Sequence, residues 1–186
     1  MQLFGNKKHL NTDLSFLLEQ SKKGNRTAQK EIFDSLSRKM FAVCLRYMGD
    51  RESAEDVLQN GFVTLFSKLD TYSGEGSFEG WARKIFVNTA LMTLRKNDAL
   101  KQSEDIEALR DVTVDDPDPV QKIGYEELMN LISALPPGFR TVFNMYVVEG
   151  YSHKEIGESL GISEATSRSQ LQRARTILQN KIKELY

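Results

Sequence analysis

The stretch from Tyr151 to Leu178 limits what this chain can be more than any other. Ser152 and Glu155 stand three residues apart, a Ser-x-x-Glu capping box that starts a helix by satisfying two free backbone N–H groups reciprocally. Ile156 and Leu160 give that short helix an apolar face, and Gly157 is small, as a close helix crossing requires. Gly161 can adopt the left-handed conformation that ends a helix, Ile162 enters the core, and Ser163 caps a second helix from Glu164 onward. Two short helices joined at a glycine turn make a helix-turn-helix, whose second helix enters the major groove of DNA. Leu171, Ala174 and Leu178 turn inward on that helix and leave Arg168, Ser169, Gln170, Gln172, Arg173 and Arg175 mostly outward. Arginine grips guanine bidentately, glutamine suits adenine, and any of these side chains can hold phosphate. A plain amphipathic helix with a solvated basic face would share the residue types, but not the capping box and turn glycine as well. Position near the start of the helix favours Arg168 as a base reader. Arg173 can read or hold the backbone, and Arg175 holds phosphate or packs.

Helical periodicity runs through the rest of the chain. Ala28, Ile32, Leu36, Met40 and Cys44 form a stripe between Thr27 and Met48, closed by Gly49–Asp50. Ser53 offers an N-cap, with Glu55 and Asp56 in the following turn, and Leu58, Phe62, Leu65 and Leu69 line one face. A glycine-bearing loop spans Asp70 to Gly76, and Ser77 can cap a helix to about Lys96 with Trp81, Ile85 and Met92 as core positions. Asn11 to Gln20 reads as a short additional helix. Composition changes after Asn97: Asp98 to Pro119 holds eight acids against Lys101 and Arg110, and Pro117 and Pro119 close it. Such a run is a solvated linker or, alternatively, a nucleic-acid mimic for a basic channel. Beyond it, Leu128, Ile132 and Leu135 form a stripe that stops at Pro136–Pro137. Phe139, Val142, Phe143 and Tyr146 form another, ending near Glu149–Gly150. Strand-type alternation and internal repeats are absent. The expected fold is all-α, with a helical bundle over residues 1–96, an acidic flexible linker over 97–123 and a four-helix domain over 124–186 that carries the helix-turn-helix.

The formal charge of −1 gives no global nucleic-acid signal, but it hides opposed parts. The acidic stretch stands near −6, whereas Tyr151 to Tyr186 carries +2 and Phe78 to Lys96 carries +3. One cysteine, Cys44, excludes an internal disulfide and a thiol-rich zinc site, and reads as a buried small hydrophobe. No run approaches the roughly 18 apolar residues of a membrane span, and Met1 to Leu10 lacks a signal core. A cytoplasmic location without membrane insertion is therefore expected. No Cys/His cluster, phosphate-binding glycine loop or triad points to catalysis, so neither enzymatic activity nor a cofactor or metal is expected.

Two further segments narrow the function. Ala54–Glu55–Asp56–Val57–Leu58–Gln59–Asn60–Gly61–Phe62 and Trp81–Ala82–Arg83–Lys84–Ile85–Phe86–Val87–Asn88 resemble region two of extracytoplasmic-function (ECF) sigma factors. Leu135–Pro136–Pro137–Gly138–Phe139–Arg140, with Glu149 to Ile156, resembles region four of the same small class of bacterial RNA polymerase sigma factors. The resemblance covers nearly the whole chain outside the linker and the first ten residues. It implies a factor that binds core RNA polymerase and directs promoter recognition, DNA melting and initiation. Asp56, Gln59 and Phe62 match the Asp-x-x-Gln-x-x-Phe pattern with which the family docks on polymerase, although Phe62 can equally belong to the core. By the same resemblance, Tyr72, Ser73 and Glu75 would occupy the loop with which the family captures a flipped minus-ten base. Arg83, Lys84 and Asn88 lie on the helix that matches the family's promoter-melting segment and would contact the opened strand, while Trp81 and Phe86 either stack on bases or pack in the core. Arg168, Ser169, Gln170, Gln172, Arg173 and Arg175 would meet the minus-thirty-five element. An anti-sigma protein is a further partner found with many members.

Two positions depart from the family pattern. Gly61 lies inside the docking helix, where glycine costs about 1 kcal/mol relative to alanine and would leave the helix locally mobile. Ser167 stands where an apolar residue is usual, and a serine can bond back to a carbonyl. The competing reading is a helix-turn-helix transcriptional regulator without polymerase-core docking, which leaves the Asp56–Phe62 pattern unexplained.

Overall fold

The computed structural model describes residues 6–96 and 124–185, and every regular element among them is helical. The acidic segment 97–123 lies outside the described residues. The N-terminal unit contains α1 (Asn6–Lys22), α2 (Arg26–Met48), α3 (Arg51–Ser67), a 3-10 turn (Leu69–Thr71) and α4 (Phe78–Lys96). The C-terminal unit contains α5 (Tyr125–Ser133), α6 (Pro137–Phe143), a π turn (Asn144–Val148), α7 (His153–Leu160) and α8 (Glu164–Leu185).

Local chemistry sets the boundaries. Asn25 caps α2 by accepting from Thr27 N at 2.9 Å and Ala28 N at 3.2 Å. Gly49 ends it at φ 84°, where a side chain would be strained. The cap of α3 is Asp50 and not Ser53: its carboxylate accepts from Ser53 N at 2.8 Å, so Ser53 is the donor inside the first turn. Ser77 accepts from Gly80 N at 3.0 Å and starts α4 as expected. Pro137 opens α6, where its missing N–H has no cost.

Three helices, α2, α3 and α4, enclose the main core, with Ile32, Met40, Tyr47, Leu65 and Phe86 among its fully buried side chains. Cys44 is buried there, and burial pushes its thiol up to about 12. Met92 is no core residue. It is 68% exposed, because α4 buries Ala82, Phe86, Val87, Ala90 and Leu94 instead. Gly61 also has a different explanation from local mobility. It is buried, and a Cβ there would lie 2.3 Å from the Phe86 ring, so glycine admits the aromatic ring against α3.

The two units share one core. Val142, Met145, Ile156 and Leu171 join the cluster built by α2–α4, while Ile132, Leu135, Phe139, Ala174 and Leu178 form a smaller one. Arg140 ties the seam: its guanidinium donates to Tyr47 O at 3.0 Å and Met48 O at 2.7 Å, and to Ser133 O and Leu135 O in its own unit. The last carbonyls of α2 have no partner within the helix, and Arg140 supplies one. Gly49 leaves room for it, since a Cβ there would lie 2.3 Å from Arg140 Nη1.

Candidate polymerase and nucleic-acid interfaces

The outer face of α3 carries Asp56 and Gln59, both exposed, but Phe62 is not beside them. Six residues on from Asp56, Phe62 is rotated by about 120°. Its ring is buried, 4.5 Å from Phe33, 6.1 Å from Phe66 and 5.0 Å edge-on to Phe86. Of the two readings of Phe62, the structure supports the core one. The exposed apolar side chain in line with Asp56 is Val63, which seven residues bring back to within about 20°. The seven-residue spacing of Asp56 and Val63 is the sequence signal for this pairing.

Tyr72 is half-buried and anchors the loop between α3 and α4. Its ring lies 5.3 Å from both Phe78 and Trp81, and its hydroxyl donates to Gly76 O at 2.9 Å. Gly74 and Gly76 take positive φ, and Ser73 Oγ accepts from Glu75 N at 3.3 Å, which leaves the Ser73 and Glu75 side chains exposed at the tip. On α4, Phe86 is fully buried and Trp81 half-buried, so Phe86 packs and does not stack outward. Lys84 and Asn88 are exposed one turn apart, and Met92 and Arg95 continue their side of the helix. Arg83 turns the other way. Its Nε lies 3.0 Å from Glu149 Oε2 of the C-terminal unit.

Both motif helices form as their sequence dictates. Ser152 and Glu155 make the reciprocal capping box, and the bonds from Ser152 hold the Glu155 carboxyl below its usual range. Gly161 is left-handed at φ 70°, and a Cβ on Gly157 would come within 2.8 Å of Ile162 O. Ser163 Oγ accepts from Thr166 N at 3.0 Å to start α8. Arg168, Ser169, Gln172 and Arg175 are exposed, and Arg168 pairs with Glu164 along the helix. Gln170 is buried at 7% exposure and does not belong to the outward face. Arg173, exposed on the flank, places its guanidinium 6.0 Å from the Phe139 ring centroid. Ser167 is fully buried and finds a partner other than a carbonyl, His153 Nδ1 at 2.9 Å. The His153 ring stacks on Tyr146 at 4.4 Å. Partial burial holds its imidazole below the ordinary range, with Arg168 and Arg175 acting the same way against Glu164. A buried serine between two motif helices was the signal for this pair.

Residues 32–100 match the family model of sigma-70 region 2, and residues 125–178 match that of sigma-70 region 4. The ECF RNA polymerase sigma factor SigW of Bacillus subtilis is 27% identical over 179 residues, an alignment covering 90% of this chain and 96% of that protein. The chain belongs to the ECF sigma factors. The ECF sigma-E factor of Haemophilus influenzae is likewise 27% identical, over 91% of this sigma factor and 95% of its own length. SigE of Mycolicibacterium smegmatis is 31% identical over 147 residues, which span 76% of this chain and 56% of that protein. In fold, the sigma factor RpoE of Bartonella quintana, solved with the anti-sigma factor NepR, superposes with a TM-score of 0.51 at 18% identity, covering 83% of this chain and 96% of that one.

This sigma factor accordingly serves core RNA polymerase in promoter-directed initiation. Its region-two match spans α2 to α4 and contains the exposed Asp56, Gln59, Lys84 and Asn88, and its region-four match contains α5 to α7 and most of α8. No described helix is long and apolar enough to cross a membrane.

Proposed function

We propose that this sigma factor divides its work among three exposed faces, in the cytoplasm and without catalysis of its own. Asp56 and Gln59, joined by Val63, dock on polymerase, while buried Phe62 supports α3 from behind. Ser73, Glu75, Lys84 and Asn88 meet the opened minus-ten strand, with Tyr72 holding the loop in shape, and Arg83 joins them when it is free of Glu149. Arg168, Ser169, Gln172 and Arg175 face the minus-thirty-five element, Arg173 holds its flank, and Gln170 positions α8 from within. The domain limits stay at 1–96 and 124–186, with 97–123 as the connection. One observation carries the reading: a helix-turn-helix opened by a Ser152–Glu155 capping box, with an exposed Arg/Gln face, sits in one chain with exposed Asp56 and Gln59 on α3.

The test replaces Asp56 and Gln59 together by alanine. Both side chains are exposed, so thermal stability should change by no more than about 0.5 kcal/mol. Affinity for core polymerase, measured by competition with the parent protein, should fall at least tenfold. Undiminished binding would return α3 to the role of a plain solvated helix and favour a regulator that acts without docking.

A further inference from the structure

The seam between the units holds a charge cluster in which Arg46 and Glu149 belong to no assigned interface and Arg83 is shared with the strand-facing helix. Glu149 follows the π turn and is 8% exposed at its side chain. Its Oε1 lies 3.2 Å from Arg46 Nη2 at the end of α2, and its Oε2 lies 3.0 Å from Arg83 Nε on α4. Two guanidinium groups from separate helices of the N-terminal unit thus converge on one carboxylate that the C-terminal unit supplies. Planar guanidinium pairs suit a phosphate as well as a carboxylate. Arg83 precedes exposed Lys84 on α4 and is set about 100° round the helix from it, so the cluster flanks the face assigned to the opened strand.

The seam is held but not perfectly satisfied. Asn144 donates to Arg46 O at 2.8 Å, and Arg140 caps the end of α2. Yet Arg46 Nε, Tyr47 OH and Asn144 Oδ1 are buried without a hydrogen-bond partner, and Arg83 Nε, though 3.0 Å from Glu149 Oε2, is not aligned to donate to it. Such atoms favour separation, because water would satisfy them. A π turn, which is uncommon and frequent at functional sites, delivers Asn144 and Glu149 to the seam.

We propose that Arg46 and Arg83 form a phosphate-binding pair for the opened promoter strand, and that Glu149 occupies it from within until the C-terminal unit moves away. The proposal rests on the reading that α4 faces that strand. Closed, the chain buries Arg46 and engages half-exposed Arg83 with its own carboxylate; open, it offers both to DNA. The contact therefore couples separation of the units to strand capture.

The experiment uses the full-length protein without polymerase and a short mixed-sequence DNA single strand, with affinity read by fluorescence anisotropy and overall size by small-angle scattering. Glu149→Gln keeps the side chain's shape and removes its charge. It should enlarge the particle and tighten strand binding by about fivefold or more. Adding Arg46→Ala should abolish the gain and reduce the slope of log affinity against log salt by about 0.7, one phosphate contact. Unchanged binding by Glu149→Gln, or a gain that survives Arg46→Ala, overturns the proposal. Should Glu149→Gln fail to fold, Arg140→Gln opens the seam with all three charges retained, and a larger particle without tighter binding is equally fatal. Lys84→Ala with Asn88→Ala separates the two readings. If that pair leaves strand binding unaltered, α4 is not the strand-facing helix; if it weakens binding while Glu149→Gln changes nothing, only the latch falls.

Discussion

Gly61 shows how a residue misread in sequence becomes informative in three dimensions. Propensity alone marks it as a weak point of α3, but its missing side chain is filled by the Phe86 ring. Phe86 is fully buried and braced edge-on by Phe62. Gly61→Ala would gain about 1 kcal/mol of helix propensity and lose about 1–3 kcal/mol to overpacking. We expect a net loss of stability, visible as a lower midpoint in thermal unfolding; a more stable variant would show that the ring yields freely. The same limit explains Phe62, Met92 and Gln170. Each sits at the margin of a helical stripe, where periodicity gives an angle only to within a residue or so. Which side of the margin is buried depends on the neighbouring helix, and that is not written in the local sequence. Ser167 was legible as an oddity, but its partner His153 lies fourteen positions away.

Among the elements, the helix-turn-helix was the most legible, because each of its signals is local. The capping box, the left-handed Gly161 and the Ser163 cap satisfy backbone groups within three or four residues of themselves. The all-α class was legible for the same reason. The start of α3 was not, since Asp50 and Ser53 are both competent caps and only the backbone conformation of Asp50 selects it. The structure also sharpens what α8 is expected to do. Arg168, Gln172 and Arg175 fall within about 60° of one another around the helix axis and so share one face. Arg168, near the start of α8, should read a base, and Arg175, two turns on, should hold phosphate. A binding selection over randomised upstream elements distinguishes them. Arg168→Ala should relax preference at one position, worth about 1–3 kcal/mol of discrimination, and Arg175→Ala should weaken all sequences alike. An unaltered preference in Arg168→Ala would remove it from the reading set.

At the scale of the whole molecule, the sequence announced two units and gave no sign of their shared core. Val142 reads as part of the C-terminal stripe, yet it and Met145 are fully buried in the cluster built by α2–α4. Arg140, which the sequence marks only as the end of the Leu135–Arg140 run, is 6% exposed. Contacts across some 90 positions leave no local periodic signature. Because the core is continuous, calorimetry of the intact protein should show one cooperative unfolding transition in place of two. Arg140→Ala, which strips the end of α2 of its partners, should split that transition or lower its midpoint clearly. Two well-separated transitions in the parent would mean that the units stand alone. The placement of Arg140 also bears on the order in which the chain is made. It follows Tyr47 by 93 residues and Met48 by 92. At about 5–20 residues per second, the ribosome delivers it roughly 5–20 s after the helix it completes. For that interval the nascent N-terminal unit carries an unfinished α2, with Arg46 and Arg83 awaiting the carboxylate that will cover them. A newborn chain is thus open before it is ever closed, and the last third of synthesis is what shuts it.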